Sequence, residues 1–238
     1  MIKYHAPGYL EFMKNETLAE RVYRRLLREG SGAIDDGMAV CVTSTPGVRA
    51  TATVYRAEET LERWRDVAGF DGSCIVGWVN LWKPTGAPCR GAWMIAGIAG
   101  PGRLVYGLAY ALSPTGLVVP DRTSVSTSAR AAWRGYAAKA AARGAMYPLD
   151  DADHPPKGQS VHHDAYHTED PNDDCYTSHS EDFLNAAYEG HGDEGAVLKR
   201  LQAAHRAVLA QIPEGLRHKF EEEVQDAGYF WADPQIDN

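Results

Sequence analysis

A chain of 238 residues, 44% hydrophobic and 24% charged, can bury a full core without disulfide or metal staples. No apolar run reaches the ~20 residues that span a bilayer, and the opening MIKYHAPGYLEFMKNE lacks the charged-then-apolar order of a secretion signal. The net charge of −8 is concentrated: residues 150–193 hold twelve Asp or Glu against one Lys, so the rest carries +3, too little to argue for nucleic-acid binding.

Residues 8–29 predict a helix, with Thr17-x-x-Glu20 as capping box, Leu18, Val22 and Leu26 in one row, and Gly30 to end it. Residues 38–56 predict two strands joined at Pro46-Gly47. A short helix over 58–68 places Leu61, Trp64 and Val67 on one face, and SCIVGWVNLW (73–82) is a strand rich in β-branched and aromatic residues. A strand over 91–98 runs into a glycine turn and a helix, 103–112, with Leu104, Leu108 and Leu112 in one row. The strand LVVPDR (117–122) follows. A helix of about 126–142 then gathers Ala129, Trp133, Ala137 and Ala140 on one face, before a last strand at 145–149.

From 150 to about 180 the aliphatic pattern is lost, which predicts a long loop. Two amphipathic helices close the chain, one carrying Val197, Leu201, Ala204, Val208 and Ile212, the other Leu216, Phe220, Val224 and Ala227 after Pro213. The expected organisation is a main domain (1–149), an acidic His-rich loop (150–180) and a helical extension (181–238), the last an antiparallel pair packed on the main domain. Cys41 and Cys74 sit in apolar strand-like runs and read as buried, reduced thiols, which argues for a cytosolic compartment.

Three features carry candidate chemistry. In the turn Gly97-Ile98-Ala99-Gly100-Pro101-Gly102-Arg103, free N–H groups and the positive helix end suit an anion such as a pyrophosphate. The same glycines also serve an ordinary strand-to-helix turn. No Gly-Lys-Ser/Thr follows, and the turn comes after several antiparallel-looking strands, against a Rossmann unit. Asp121-Arg122 ends a strand and reads either as a base or substrate contact, or as an ion pair before a helix that Ser124 or Ser126 caps. The loop holds His154, His162, His163, His167, His179 and Cys175. His162-x4-His167 with Cys175 is a metal candidate of non-standard spacing; a partner-binding anionic arm and a pH sensor are the other readings, beside plain solvent exposure. No G-x-S-x-G elbow occurs.

The succession of strand, glycine turn, helix, strand and Ala129/Trp133 helix resembles the acyl-CoA site of the GNAT (Gcn5-related N-acetyltransferase) family. There a Q/R-x-x-G-x-G/A loop binds the CoA pyrophosphate, and a later helix reads N-x-x-A-x-x-x-Y-x-x-x-G-F. Here Gly97 stands where the family has Gln or Arg, Pro101 removes one amide donor, and Trp133 stands where the family often has the tyrosine that protonates the departing thiolate. The resemblance covers about residues 1–149. A second likeness, in GLVVPDRTSVSTSARAAWRGY, PLDDADHP, DDC and FLNAAY, is to GNAT-like proteins of tailed bacteriophages.

The resemblance implies an α+β fold of GNAT type, a mixed sheet flanked by helices, and acetyl-CoA or another acyl-CoA as ligand. The amides of Gly100, Gly102 and Arg103 would hold the pyrophosphate, with the thioester between the 91–98 and 117–122 strands. Asp121 would accept the amine proton, and Tyr136, one turn beyond Trp133, would stand in for the acid. The competing expectation is a catalytically silent phage virion or interaction protein. Its partners would be other virion proteins, met through the 150–180 loop or the C-terminal helices. The expected location is the host cytoplasm or the virion, with no membrane partner.

Overall fold

Small and β-branched residues alternate along β1 (Met38–Thr45) and β2 (Arg49–Arg56), so each strand has a buried side chain for both faces of the sheet. The Pro46-Gly47 turn joins them: Val48 N–H donates to Thr45 O at 3.0 Å, and Gly47 has the positive φ (+70°) that a type II turn asks of its third residue. The computed structural model describes residues 37–66, 72–84, 88–121, 125–149, 175 and 181–232.

The remaining elements are α1 (Ala57–Asp66), β3 (Ile75–Trp82), β4 (Trp93–Ala99), α2 (Gly102–Leu112), β5 (Leu117–Val119), α3 (Thr127–Ala142), β6 (Met146–Pro148), β7 (Ala186–Glu189), α4 (Glu194–Leu209) and α5 (Arg217–Ala232). The fold is α+β: a seven-stranded mixed sheet in the order β1-β2-β3-β4-β5-β7-β6, with five helices among the described residues. Every neighbouring pair is antiparallel except β4 and β5.

Two cores lie on the two faces. Val40, Ala52, Val54, Val79 and Leu81 pack with α2, α3 and the first half of α4. The alternate residues Ala39, Cys41, Tyr55 and Ile75 pack with α1, α5 and the second half of α4. Helix α4 therefore passes from one core to the other beside β1 and covers the edge strand, whose open N–H and C=O row would otherwise invite pairing.

The elements read from sequence between 38 and 148 are all present, with shifted ends. The strand expected over 117–122 stops at Val119, because Pro120 has no N–H for a further ladder bond. The segment after 180, read as purely helical, also supplies β7. This strand inserts between β5 and β6, and α4 and α5 complete both cores, so the segment shares one sheet with the rest. The 8–29 helix and nearly all of the 150–180 loop lie outside the described residues. Cys175 is described, and it is bonded to Cys89 across a sequence separation of 86. That bond removes Cys175 as the metal ligand considered with His162 and His167. Cys41 and Cys74 are free and buried, as expected.

Candidate functional site

Helix α2 begins where β4 leaves the sheet. Gly100 makes the corner at φ +121°, and a Cβ there would sit 2.7 Å from Gly77 Cα and 2.9 Å from Val76 O, so the turn is pressed against β3. Pro101 is buried at the N-cap and supplies no side-chain cap, and the first turn of α2 holds no acidic residue. Gly102 and Arg103 are exposed, and a Cβ on Gly102 would meet nothing within 4 Å. The positive end of α2 thus opens outward.

It opens into a groove of about 610 Å³ between α2 and α3, within the range of ligand clefts. Small residues keep it clear: Gly107 on α2, and Ala131, Ala132 and Gly135 on α3, where a Cβ on Gly135 would also meet nothing within 4 Å. Its floor is aromatic. Tyr106 packs edge-on to Trp133 at 5.3 Å and tilted against Tyr136 at 4.8 Å between ring centroids. Burial pushes the Tyr106 phenol up to about 12, so it remains a neutral donor across the physiological range. Lys139 and Arg143 add positive charge along α3, and Arg143 also donates to Glu189 O (2.7 Å) and Gly190 O (3.0 Å), tying α3 to the end of β7. The far end is closed by Glu194, a buried carboxylate that accepts the N–H groups of His191 (2.5 Å) and Gly192 (2.8 Å) at the start of α4.

Of the residues singled out in the sequence, Gly102, Arg103 and Tyr136 line this groove together, while Gly100 lies beneath it as the corner. Asp121 is half-buried two residues past the end of β5 and is not among the lining residues. Trp133 is 2% exposed and belongs to the core, its ring 4.9 Å from that of Tyr188. Ser126 caps α3, accepting from Ala129 N at 3.2 Å. Glu194 and the groove-opening Gly107 and Gly135 were not anticipated; the only signal was two glycines inside otherwise helical runs.

Beside the groove the sheet comes apart. Strands β4 and β5 pair only at Trp93↔Val118 and Met94↔Val119, while β4 continues to Ala99. Against β3 the register slips between Asn80 and Leu81, leaving Ala96 as an extra residue in β4. Such a bulge bends a strand and re-aims its edge. Gly97 faces Trp78: a Cβ would lie 2.6 Å from its ring. Trp78 is held in turn by Tyr229 of α5, 6.0 Å between centroids. A Gln at this position has no room, which accounts for the glycine. We expect Gly97→Gln to lose roughly 2 kcal/mol in urea denaturation, as an overpacked core site.

No family model, no curated protein and no solved structure matches this chain.

Proposed function

We propose that this chain is a GNAT-type acyl-CoA-binding protein acting as an N-acyltransferase on an amine still to be identified. The observation that carries the reading is the coincidence of two breaks in the sheet order. The one parallel pair, β4/β5, parts after two residue pairs, and an uncapped helix begins at the end of the same β4 beside an open groove. A long anionic thioester ligand fits that arrangement. Its pyrophosphate would meet the first turn of α2 at Gly102 and Arg103, its remaining length would follow the groove and the parting, and its thioester would lie between β4 and Asp121. In the transfer, the amine nitrogen forms the new C–N bond and the C–S bond breaks. Asp121 would take the amine proton and the sulfur would leave as the CoA thiolate, protonated from solvent, while Tyr136 lines the stretch of groove beside the pyrophosphate.

The test is thermal shift with acetyl-CoA, since ligand in excess over Kd must raise Tm. Wild type is expected to gain several degrees at millimolar ligand. Gly102→Asp places a carboxylate where the helix end favours it, so the free protein keeps or slightly raises its Tm. The same carboxylate repels the pyrophosphate and abolishes the shift. Gly135→Trp, filling the groove from an open position, should do likewise. No shift in wild type ends the acyl-CoA reading.

A second reading keeps the scaffold and drops the turnover: a silent virion or interaction protein encoded by a phage. Two observations favour it. Trp133 is core where an acid is wanted, and the Cys89–Cys175 disulfide suits a protein that persists outside a reducing cytosol. Mass spectrometry of purified virions should then find the chain; its absence there removes this reading.

A further inference from the structure

On the sheet face opposite the α2/α3 groove, three side chains from three distant segments converge: Cys41 of β1, His205 of α4 and Glu221 of α5. Their ligand atoms (one sulfur, one imidazole nitrogen, one carboxylate oxygen) all lie within 4.8 Å of one another. His205 Nε2 is 3.1 Å from Glu221 Oε1. Cys41 and His205 are buried, and the Glu221 side chain is 37% exposed, which gives the cluster one opening to solvent.

We infer that Cys41, His205 and Glu221 form a binding site for a zinc-class divalent metal that fastens the two C-terminal helices to the edge of the sheet. Bonds of about 2.0–2.3 Å in tetrahedral geometry put neighbouring N, O and S ligands about 3.3–3.6 Å apart. The His–Glu pair is already near that spacing, and the sulfur needs a shift of no more than about 1.5 Å. The donor set is mixed in softness: thiolate and imidazole favour zinc over magnesium or calcium. Three protein ligands leave a fourth position for water on the side where Glu221 reaches solvent.

The surroundings are built as a support for such ligands. Tyr55 Oη lies 2.6 Å from His205 Nδ1, the outer-shell bond that fixes which ring nitrogen faces inward. Gln225 spans the other two segments, its Nε2 donating to Cys41 O (2.9 Å) and its Oε1 accepting from Thr53 Oγ1 (3.0 Å). Beta strand and helices are therefore pinned at the cluster before any ion arrives. A hydrogen-bonded relay of Tyr55, His205 and Glu221 would have no use for the sulfur beside it. On binding, the thiol loses its proton to solvent, the imidazole proton passes from Nε2 to Nδ1, which then donates to Tyr55 Oη, and the Glu221–His205 hydrogen bond is exchanged for two metal bonds.

Cobalt(II) titration of the full chain, with its disulfide intact, tests the site. The expected result is a thiolate-to-cobalt charge-transfer band in the near ultraviolet that saturates at one equivalent and is displaced by zinc. Cys41→Ser should lose the band, Glu221→Gln should bind about tenfold or more weakly, and zinc should raise the Tm of wild type but not of Cys41→Ser. If Cys41→Ser does not fold, the Glu221→Gln titration decides, because Gln still hydrogen-bonds His205. Wild-type affinity in Glu221→Gln overturns the proposal. So does absence of the band in wild type, or a band that persists in Cys41→Ser and so belongs to Cys74. A zinc-induced Tm rise without the band assigns the metal to other histidines and overturns it as well.

Discussion

Gly228→Val is expected to be the most damaging single substitution in the described part of the chain, costing roughly 3 kcal/mol or more. Gly228 is where α5 lies closest to the sheet: a Cβ there would stand 2.6 Å from Thr53 Cγ2 and 3.0 Å from Trp78 Cδ1. Neither neighbour can yield. Thr53 is fully buried on β2 and β-branched, with its hydroxyl bonded to Gln225, and Trp78 is held between Gly97 and Tyr229. Helix α5 would have to lift, taking Phe220 and Val224 out of the core. Gly195, in the first turn of α4, is the control: a Cβ there meets nothing within 4 Å, so Gly195→Ala should be neutral or slightly stabilising. Urea denaturation of both variants checks the pair. Equal midpoints would mean that α5 is not seated this closely.

Removing the disulfide, as Cys89→Ser with Cys175→Ser, should cost about 2–4 kcal/mol, the usual range for a bridge closing a long loop. The bridge closes a separation of 86 residues that includes α2 and α3, the two helices that wall the groove. It sits in its own small apolar cluster with Val119, Leu149 and Ala187, at the junction of β5, β6 and β7. Reductant should lower the Tm of wild type towards that of the double variant and leave the double variant unchanged. Cys41 and Cys74 are buried and unpaired with each other, so they do not replace the lost link. A wild-type Tm indifferent to reductant would show the bridge to be dispensable.

The sequence carried those features that depend on neighbours along the chain. Helical spacing marked α2, α3, α4 and α5, and Pro46-Gly47 marked the first hairpin, because periodicity and turn chemistry are local. Pro101 and the glycines around it likewise located the groove's mouth, and Tyr136 was found on its lining. Strand β7 was illegible for a physical reason. Ala186-Ala187-Tyr188-Glu189 is only four residues long and buried on both faces, so it shows no alternation. The disulfide joins residues 86 positions apart, and Cys41 stands more than 160 positions before His205 and Glu221, farther than any spacing rule reaches. Gly228 and Gly97 were unreadable as packing residues, since their reason is Thr53 and Trp78 on other strands.

The placement of β7 has a consequence for how the chain is made. β5 and β6 are both neighbours of β7, not of each other. While the ribosome has delivered only the first 150 or so residues, β5 presents an unpaired edge and β6 has nothing to pair with. The strand that satisfies both arrives some 40 residues later, and α4, which shields the opposite edge at β1, arrives after it. Among the described elements, nascent chains of this protein therefore carry two bare sheet edges until β7 and α4 have been made, the state most prone to edge-to-edge association. A chaperone that engages exposed strands has its longest opportunity in that interval, and slow decoding between codons 150 and 190 would lengthen it.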